Sequence, residues 1–458
     1  MTKGVFNLMY DVLIRDVLIP LKGNEVTQAS IVVSNGRIEK IVRDYSLYLS
    51  KVDRVVRGKG LIAIPGGIDI HAHIYDPDYT HHEDFREGSI SAIYGGITTF
   101  FDMPLRMYVD NLKNLLKKYD EGVKNSLINF GIHGGMMNED NIANVPQLIR
   151  YGVKSFKVFT CKPFRPKTDE GITRALTEIN NYGALPIIHA EDDAIIEYLV
   201  NELRRSGRDD PLAHHESRPA EAEAIAIRRV VDIARLFNLR IHVAHVSSKQ
   251  GLEEVRRGKE LGVRVTAETC PQYLYFTRDD VRRLGNLLKM NPSLKSTDDV
   301  KALWRGLANG VIDAVATDHA PSTREEKEGS VWDAWGGIPS LEVMIPLVYT
   351  LGCKVLKILT LERFIDVVSA NPARITGLYP KKGVLAVGSD ADIVLIEPNV
   401  CVKVDANRLH QKVDWSPYEG LELCGWPKYV LINGYVVLDN GVLNLDRKVS
   451  SYVYEVKQ

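Results

Sequence analysis

Between residues 65 and 380 the chain alternates short apolar runs with stretches of helical period, and no other feature restricts its fold as tightly. The apolar runs are Pro65–His73, Thr98–Met103, Asn129–Gly134, Val153–Phe159, Leu185–Ala190, Arg240–Val246, Val263–Glu268 and Ile312–Asp318. Helical patterns lie between several of them, such as Glu83–Tyr94 before Gly95-Gly96, Asp110–Lys118, Ala220–Phe237, Lys249–Leu261 and Thr297–Ala308. Eight strands separated by helices predict a (β/α)₈ barrel over residues 65–382.

The two ends of the chain read differently. Asp11–Ile14 and Ile31–Val33 are short apolar strands, and Asn35-Gly36 between Ser34 and Arg37 is a hairpin signal because it tolerates positive φ. Residues 383–458 repeat the pattern, with Ala391–Ile396, then Tyr429–Ile432, the turn Asn433-Gly434, and Tyr435–Leu438. Residues 1–64 and 383–458 are therefore expected to meet as one small β domain. The 458 residues suit a barrel of roughly 250 residues or more plus such a second unit.

Charge excludes some partners. Lys and Arg total 58 against 59 Asp and Glu, a net charge of -1, and the two signs are interspersed. That balance gives no electrostatic reason for a nucleic-acid or anionic-membrane partner. No apolar run reaches the roughly 18 residues of a membrane span. Met1–Val5 lacks the charged-then-apolar pattern of a signal peptide. A cytoplasmic protein is expected. Cys161, Cys270, Cys353, Cys401 and Cys424 are scattered, so neither a disulfide framework nor a thiolate zinc site is indicated.

Catalytic groups of such barrels sit at the C-terminal ends of the strands. The ionisable residues there are His71 and His73 after the first strand, Lys157 in the fourth, His189 after the fifth, His245 after the sixth and Asp318 after the eighth. Residues two apart in a strand share a side, so His71 and His73 can aim at one point, with Asp69 on the same face. Imidazole is the commonest metal ligand, and a bound ring usually needs a partner to orient it. Lys157 lies in the apolar run Val153–Phe159, where a bare ammonium is costly and divalent cations would repel it. A buried lysine has a depressed pKa, and its neutral amine can react with carbon dioxide. The resulting carbamate has two oxygens, one for each of two metals.

With these residues in view, the chain resembles the cyclic amidohydrolases of the amidohydrolase superfamily: dihydroorotases, allantoinases, and hydantoinases or dihydropyrimidinases. The resemblance runs from about Asp11 to about Pro398. It is carried by PGGIDIHAH at 65–73, GVKSFKVF at 152–159, IIHAED at 187–192, HVAHVSS at 242–248, AETCPQYL at 267–274 and ATDHAP at 316–321. It implies a (β/α)₈ barrel with a β-sandwich built from both chain ends. It also implies two zinc ions, one held by His71, His73 and Asp318, the other by His189 and His245, with carboxylated Lys157 bridging them. His242 is a weaker candidate, expected to pack within its strand. The family chemistry is attack of hydroxide on a ring carbonyl, with Asp318 taking its proton and passing it to the departing ring nitrogen. A homo-oligomer, dimer or tetramer, is implied as well.

The substrate signals divide. Dihydroorotases typically carry arginine two residues after His-x-His and asparagine after the Met-Pro that follows strand 2; here the residues are Tyr75 and Leu105. Asn291-Pro292 and the run from Asp318 and His319 to Lys327 look dihydroorotase-like. Hydantoinases typically place tyrosine where this chain has Lys162. Asp102–Leu105 and Ala334–Ile338 look most like allantoinases. Tyr75, Arg106, Lys162, Asn291 and His319 are the candidate substrate residues, Arg106 or Lys162 for an anionic group. The expected activity is opening of a cyclic ureide, allantoinase- or hydantoinase-type, with a dihydroorotase of pyrimidine biosynthesis as alternative. From another class, a non-catalytic dihydroorotase-like scaffold would lack the ligands that this chain retains.

Overall fold

The computed structural model describes residues 9–456; Met1–Val5 lie outside the described residues. The chain begins with five strands, β1 (Tyr10–Pro20), β2 (Val26–Ser34), β3 (Arg37–Val42), β4 (Val52–Arg57) and β5 (Ile62–Pro65). Eight short parallel strands follow: β6 (Gly67–Ala72), β7 (Ile97–Asp102), β8 (Asn129–Ile132), β9 (Ser155–Phe159), β10 (Leu185–His189), β11 (Arg240–Val243), β12 (Arg264–Thr269) and β13 (Ala314–Val315). The last strands are β14 (Ile393–Ile396), β15 (Cys401–Lys403), β16 (Glu422–Cys424), β17 (Pro427–Ile432), β18 (Tyr435–Asp439) and β19 (Val442–Leu443).

The eight parallel strands form a closed barrel. Strands β6 to β8 make one ladder and β9 to β13 another. Single bridges close the two seams, Gly134 to Phe156 on one side and Ala72 to His319 on the other. A Cβ on Gly134 would stand 2.2 Å from Phe156 Cδ1, so the first seam requires glycine. Several strands end earlier than their apolar runs predict: β11 stops at Val243 and β13 at Val315. The residues beyond these strand ends curl into the barrel mouth. Helix signals hold well. Asp84 caps Phe85–Gly95 through Glu87 N, and Gly96 ends that helix at φ 82°. Ser296 and Asp299 form a capping box on Thr297–Asn309.

The chain ends meet in one sheet. Its order is β19-β18-β17-β14-β5-β1-β2-β3, with β4 beside β1. The joint is antiparallel, pairing Ile393 with Pro65 and Ile396 with Ile62. Alternate residues such as Ile14, Ile31, Ile393 and Leu431 bury one apolar face. The residues after β19 leave this sheet for the underside of the barrel. There Phe130 N donates to Ser451 O and Val453 N to Phe130 O. Strands β15 and β16 form a separate antiparallel ribbon in which Cys401 faces Cys424, and the two are joined as a disulfide. This departs from the expectation for the cysteines, because only strand register brings together two residues 23 apart in sequence. No helix among the described residues is long and apolar enough to cross a membrane.

Candidate active site

Six side chains from five strands converge at the C-terminal mouth. His71 projects from β6, with His73 just beyond it. Lys157 lies in β9, His189 ends β10, and His245 and Asp318 follow β11 and β13. Asp318 Oδ1 lies 3.2 Å from His73 Nε2 and 3.4 Å from His71 Nε2. Lys157 Nζ is 3.3 Å from His71 Nε2, and His189 Nδ1 is 3.0 Å from His245 Nε2. His245 and Asp318 both take left-handed backbone, φ 39° and φ 48°. Such conformations cost roughly 1–3 kcal/mol in a non-glycine residue and persist only where the surroundings impose them. Here they turn both side chains into the mouth.

A layer of outer contacts aims the rings. His71 Nδ1 donates to Glu268 Oε1 at 2.5 Å, and the other Glu268 oxygen accepts from His242 Nε2 at 3.0 Å. His73 Nδ1 donates to the Met103 carbonyl at 2.6 Å. His189 Nε2 donates to Glu191 Oε2 at 2.8 Å, and Glu191 is paired with Arg218. Each of these three rings therefore gives its proton outward and turns a lone pair inward. His245 Nδ1 is buried with no hydrogen-bond partner.

Electrostatics agree with this arrangement. Burial, and then the Lys157 charge, lower the pKa of His71, which favours the neutral imidazole that binds metals. Burial also lowers Lys157, to about 8, despite nearby Asp318 and Glu268. Burial alone would raise Asp318, but His71 and the bond to His73 outweigh it and hold the carboxylate ionised. Burial would likewise raise Glu191, yet Arg218 and His189 hold it at about 2. Three imidazoles with inward lone pairs, the His245 ring beside them and an ionised carboxylate fit a borderline divalent ion such as zinc. His71, His73 and Asp318 offer three donor atoms within 4.8 Å of one another.

The candidate substrate residues divide. Asn291 lines the cavity beside the cluster. Lys162 lines its rim, largely exposed and paired with Glu197 at 2.8 Å. Tyr75 is buried behind His73 with the rings stacked, centroids 6.5 Å apart. Arg106 is away from the cavity lining, its guanidinium over Trp335 at 4.4 Å and Tyr79 at 4.9 Å. His319 is a correction. It is fully buried outside the lining, with Nε2 3.2 Å from Glu83 Oε2 and Nδ1 accepting from Ser340 N. The left-handed turn at Asp318 (φ 48°), beyond the end of β13, aims Asp318 into the mouth, and the next residue, His319, enters the packing behind it. Asp69 accepts from Thr317 N and Oγ1 and ties β6 to the segment after β13.

Glu268, Glu191 and Arg218 were not singled out from sequence. Glu268 and Glu191 stand inside two of the quoted motifs, and Glu191 follows His189 by two residues, the same-side spacing of a strand. Arg218 lies in a loop and carries no local signal.

The amidohydrolase family profile matches residues 62–437. The chain is 34% identical to the dihydroorotase of Methanosarcina mazei, covering 90% of this chain and 91% of the relative. It is 32% identical to an allantoinase of Escherichia coli, covering 94% and 96%. The solved L-hydantoinase (dihydropyrimidinase) of Arthrobacter aurescens superposes with a TM-score of 0.91 at 30% identity, covering 98% of this chain and all of that one. A match over most of the chain, on a barrel whose mouth gathers these ligands, shows that it belongs to the amidohydrolase family, among the hydrolases of cyclic amide C–N bonds.

Proposed function

We propose that the protein opens a neutral, hydantoin-type cyclic ureide bearing an apolar ring substituent, giving an N-carbamoyl acid. The observation that carries this choice is the lining of the cavity. Leu105, Phe159, Pro163, Phe164 and Met290 make its wall apolar. The cations on the described lining are committed: Arg218 to Glu191, Lys162 to Glu197, and Lys157 within the ligand cluster. A substrate carboxylate, as in dihydroorotate, would find no free partner there, and burying an unpaired charge is costly. An allantoin ureido group would lay polar atoms against the same apolar wall.

In this reading His71, His73 and Asp318 would hold one zinc, His189 and His245 would hold a second, and carboxylated Lys157 would serve both. Bound zinc lowers the pKa of water to about 7 and polarises a carbonyl oxygen. Asp318 accepts the proton of the attacking water as the new C–O bond forms. It returns that proton to the ring nitrogen as the C–N bond breaks, acting as base and then acid. Asn291 is positioned to hydrogen-bond the ring, and the apolar wall receives the substituent. The division into a β-sandwich domain of residues 1–64 and 383–458 and a barrel domain of 65–382 is supported by the β5–β14 pairing, except that the segment after β19 packs under the barrel. A dimer or tetramer rests on the family resemblance. The cytoplasmic location expected from the sequence stands against the Cys401–Cys424 bond, because a reducing compartment opposes disulfides.

The test is a panel of phenyl- or alkyl-substituted hydantoin, allantoin, dihydroorotate and dihydrouracil with the zinc-loaded protein. The apolar hydantoin should have the highest kcat/KM. Preference for dihydroorotate would overturn the substrate assignment. A protein that retains no metal after growth with zinc would overturn the catalytic reading and favour a scaffold.

A further inference from the structure

A second group of donors lies at the barrel mouth, apart from the cavity lining. His81 and His82 sit on the loop after β6, and Glu326 in the short turn Glu325–Lys327 after β13. Their donor atoms all lie within 4.8 Å of one another. Glu326 is already oriented: Oε2 accepts from Thr323 N at 3.0 Å and from His82 Nε2 at 2.5 Å. Oε1 faces His81 Nε2 at 3.7 Å, too long for a hydrogen bond. Two ligands each about 2.0–2.1 Å from a tetrahedral ion stand about 3.4 Å apart. The separation thus matches two ligands of one ion better than a bonded pair.

His82 has the character of a ligand. It is fully buried. Its Nδ1 has no partner, so the Nε2 proton can pass to Nδ1 without breaking a bond there. Its ring packs edge-on against Trp335, centroids 4.6 Å apart, and Trp335 N donates to the Glu326 carbonyl at 2.7 Å. The next residues, Gly336 and Gly337, line the cavity. The guanidinium of Arg106 lies on the same Trp335 and disfavours added positive charge.

We propose that His81, His82 and Glu326 bind one further divalent ion of the zinc class, which clamps the loop after β6 to the loop after β13. Solvent completes the coordination on the exposed side of His81. The neighbouring Arg106 makes this site weaker than the inner cluster, so it fills last. The clamp fixes Trp335 and with it one wall of the cavity. The assignment is independent of the substrate and of the inner metals.

The experiment uses the protein with its resident metals, dialysed to equilibrium against increasing zinc and then analysed for metal and protein. His81 is more than half exposed, so His81→Ala should leave the fold unchanged, and Glu326→Gln provides a second variant. Wild type should take up one more zinc than either variant, while all three keep the same resident complement. Zinc should also slow hydrogen exchange in residues 76–84 of the wild type alone. Equal uptake by wild type and His81→Ala, or no uptake beyond the resident ions, would overturn the proposal.

Discussion

Replacing Glu268 with glutamine tests whether the outer contacts set the chemistry of the inner cluster. The Glu268 carboxylate accepts two hydrogen bonds at once, from His71 Nδ1 and from His242 Nε2. Glutamine keeps the shape but offers one oxygen acceptor and an NH₂ donor. One histidine must then face a donor with its own N–H, or move that proton to its other nitrogen. For His71 the other nitrogen is Nε2, which points at Asp318 and Lys157. A hydrogen bond to a charged group contributes about 1.5–3 kcal/mol, roughly a ten- to hundredfold change in an equilibrium constant. Loss of such an outer partner typically costs about 10–100-fold in metal affinity. Glu268→Gln should therefore lose zinc to a competing chelator at about 10–100-fold lower chelator activity than wild type, with an unchanged circular dichroism spectrum. His242→Asn removes the other arm and leaves the His71 contact, so its affinity should stay near wild type. Wild-type affinity in Glu268→Gln would refute the role given to this carboxylate. Equal losses in both variants would point to general loosening of the strands.

Asp318→Asn should keep most of its metal, since asparagine retains an oxygen donor and tolerates the left-handed backbone at φ 48°. Its kcat and kcat/KM should fall together by about 10²–10⁴-fold; full metal with near-normal kcat would exclude Asp318 as the proton carrier. The depressed pKa of Lys157 sets a pH dependence for carbamate formation. The neutral amine reacts, and lowering the pKa from 10.5 to about 8 raises its share at pH 7 from about one in three thousand to about one in ten. At fixed dissolved ¹³C-labelled carbon dioxide, the initial carbamate signal of the metal-free protein should rise about tenfold per pH unit below pH 8 and level off above it. A rise that continues to pH 10 would show an ordinary lysine.

Local pattern carried much of what could be read from the chain. Period-two alternation in an apolar run is a short-range property, so it showed His71 and His73 on one side and made Lys157 conspicuous among apolar neighbours. His319 was not legible this way: it lies beyond the end of β13, after the left-handed Asp318, and only the fold places it against Glu83. Strand ends were less legible. The runs through Val246 and Asp318 are apolar because the loops beyond β11 and β13 are buried, not because the ladders continue.

Neighbouring residues alone carry the alternation of eight strands with helices, the β character of both flanks, and the set of side chains that could supply ligands at the mouth. Which nitrogen of His71, His73 and His189 faces inward is settled by the packed barrel. That depends on Glu268 and Met103, brought from other strands by ladder register and barrel closure, and on Glu191 just beyond His189's own strand, held by Arg218. Tertiary packing alone paired Arg218 with Glu191 and left the cavity without an uncommitted cation on its described lining. It alone set Cys401 against Cys424 and His81 against Glu326. The division has one physical cause: periodicity is written into neighbouring residues, whereas a polar group's partner across the barrel depends on where the whole chain closes.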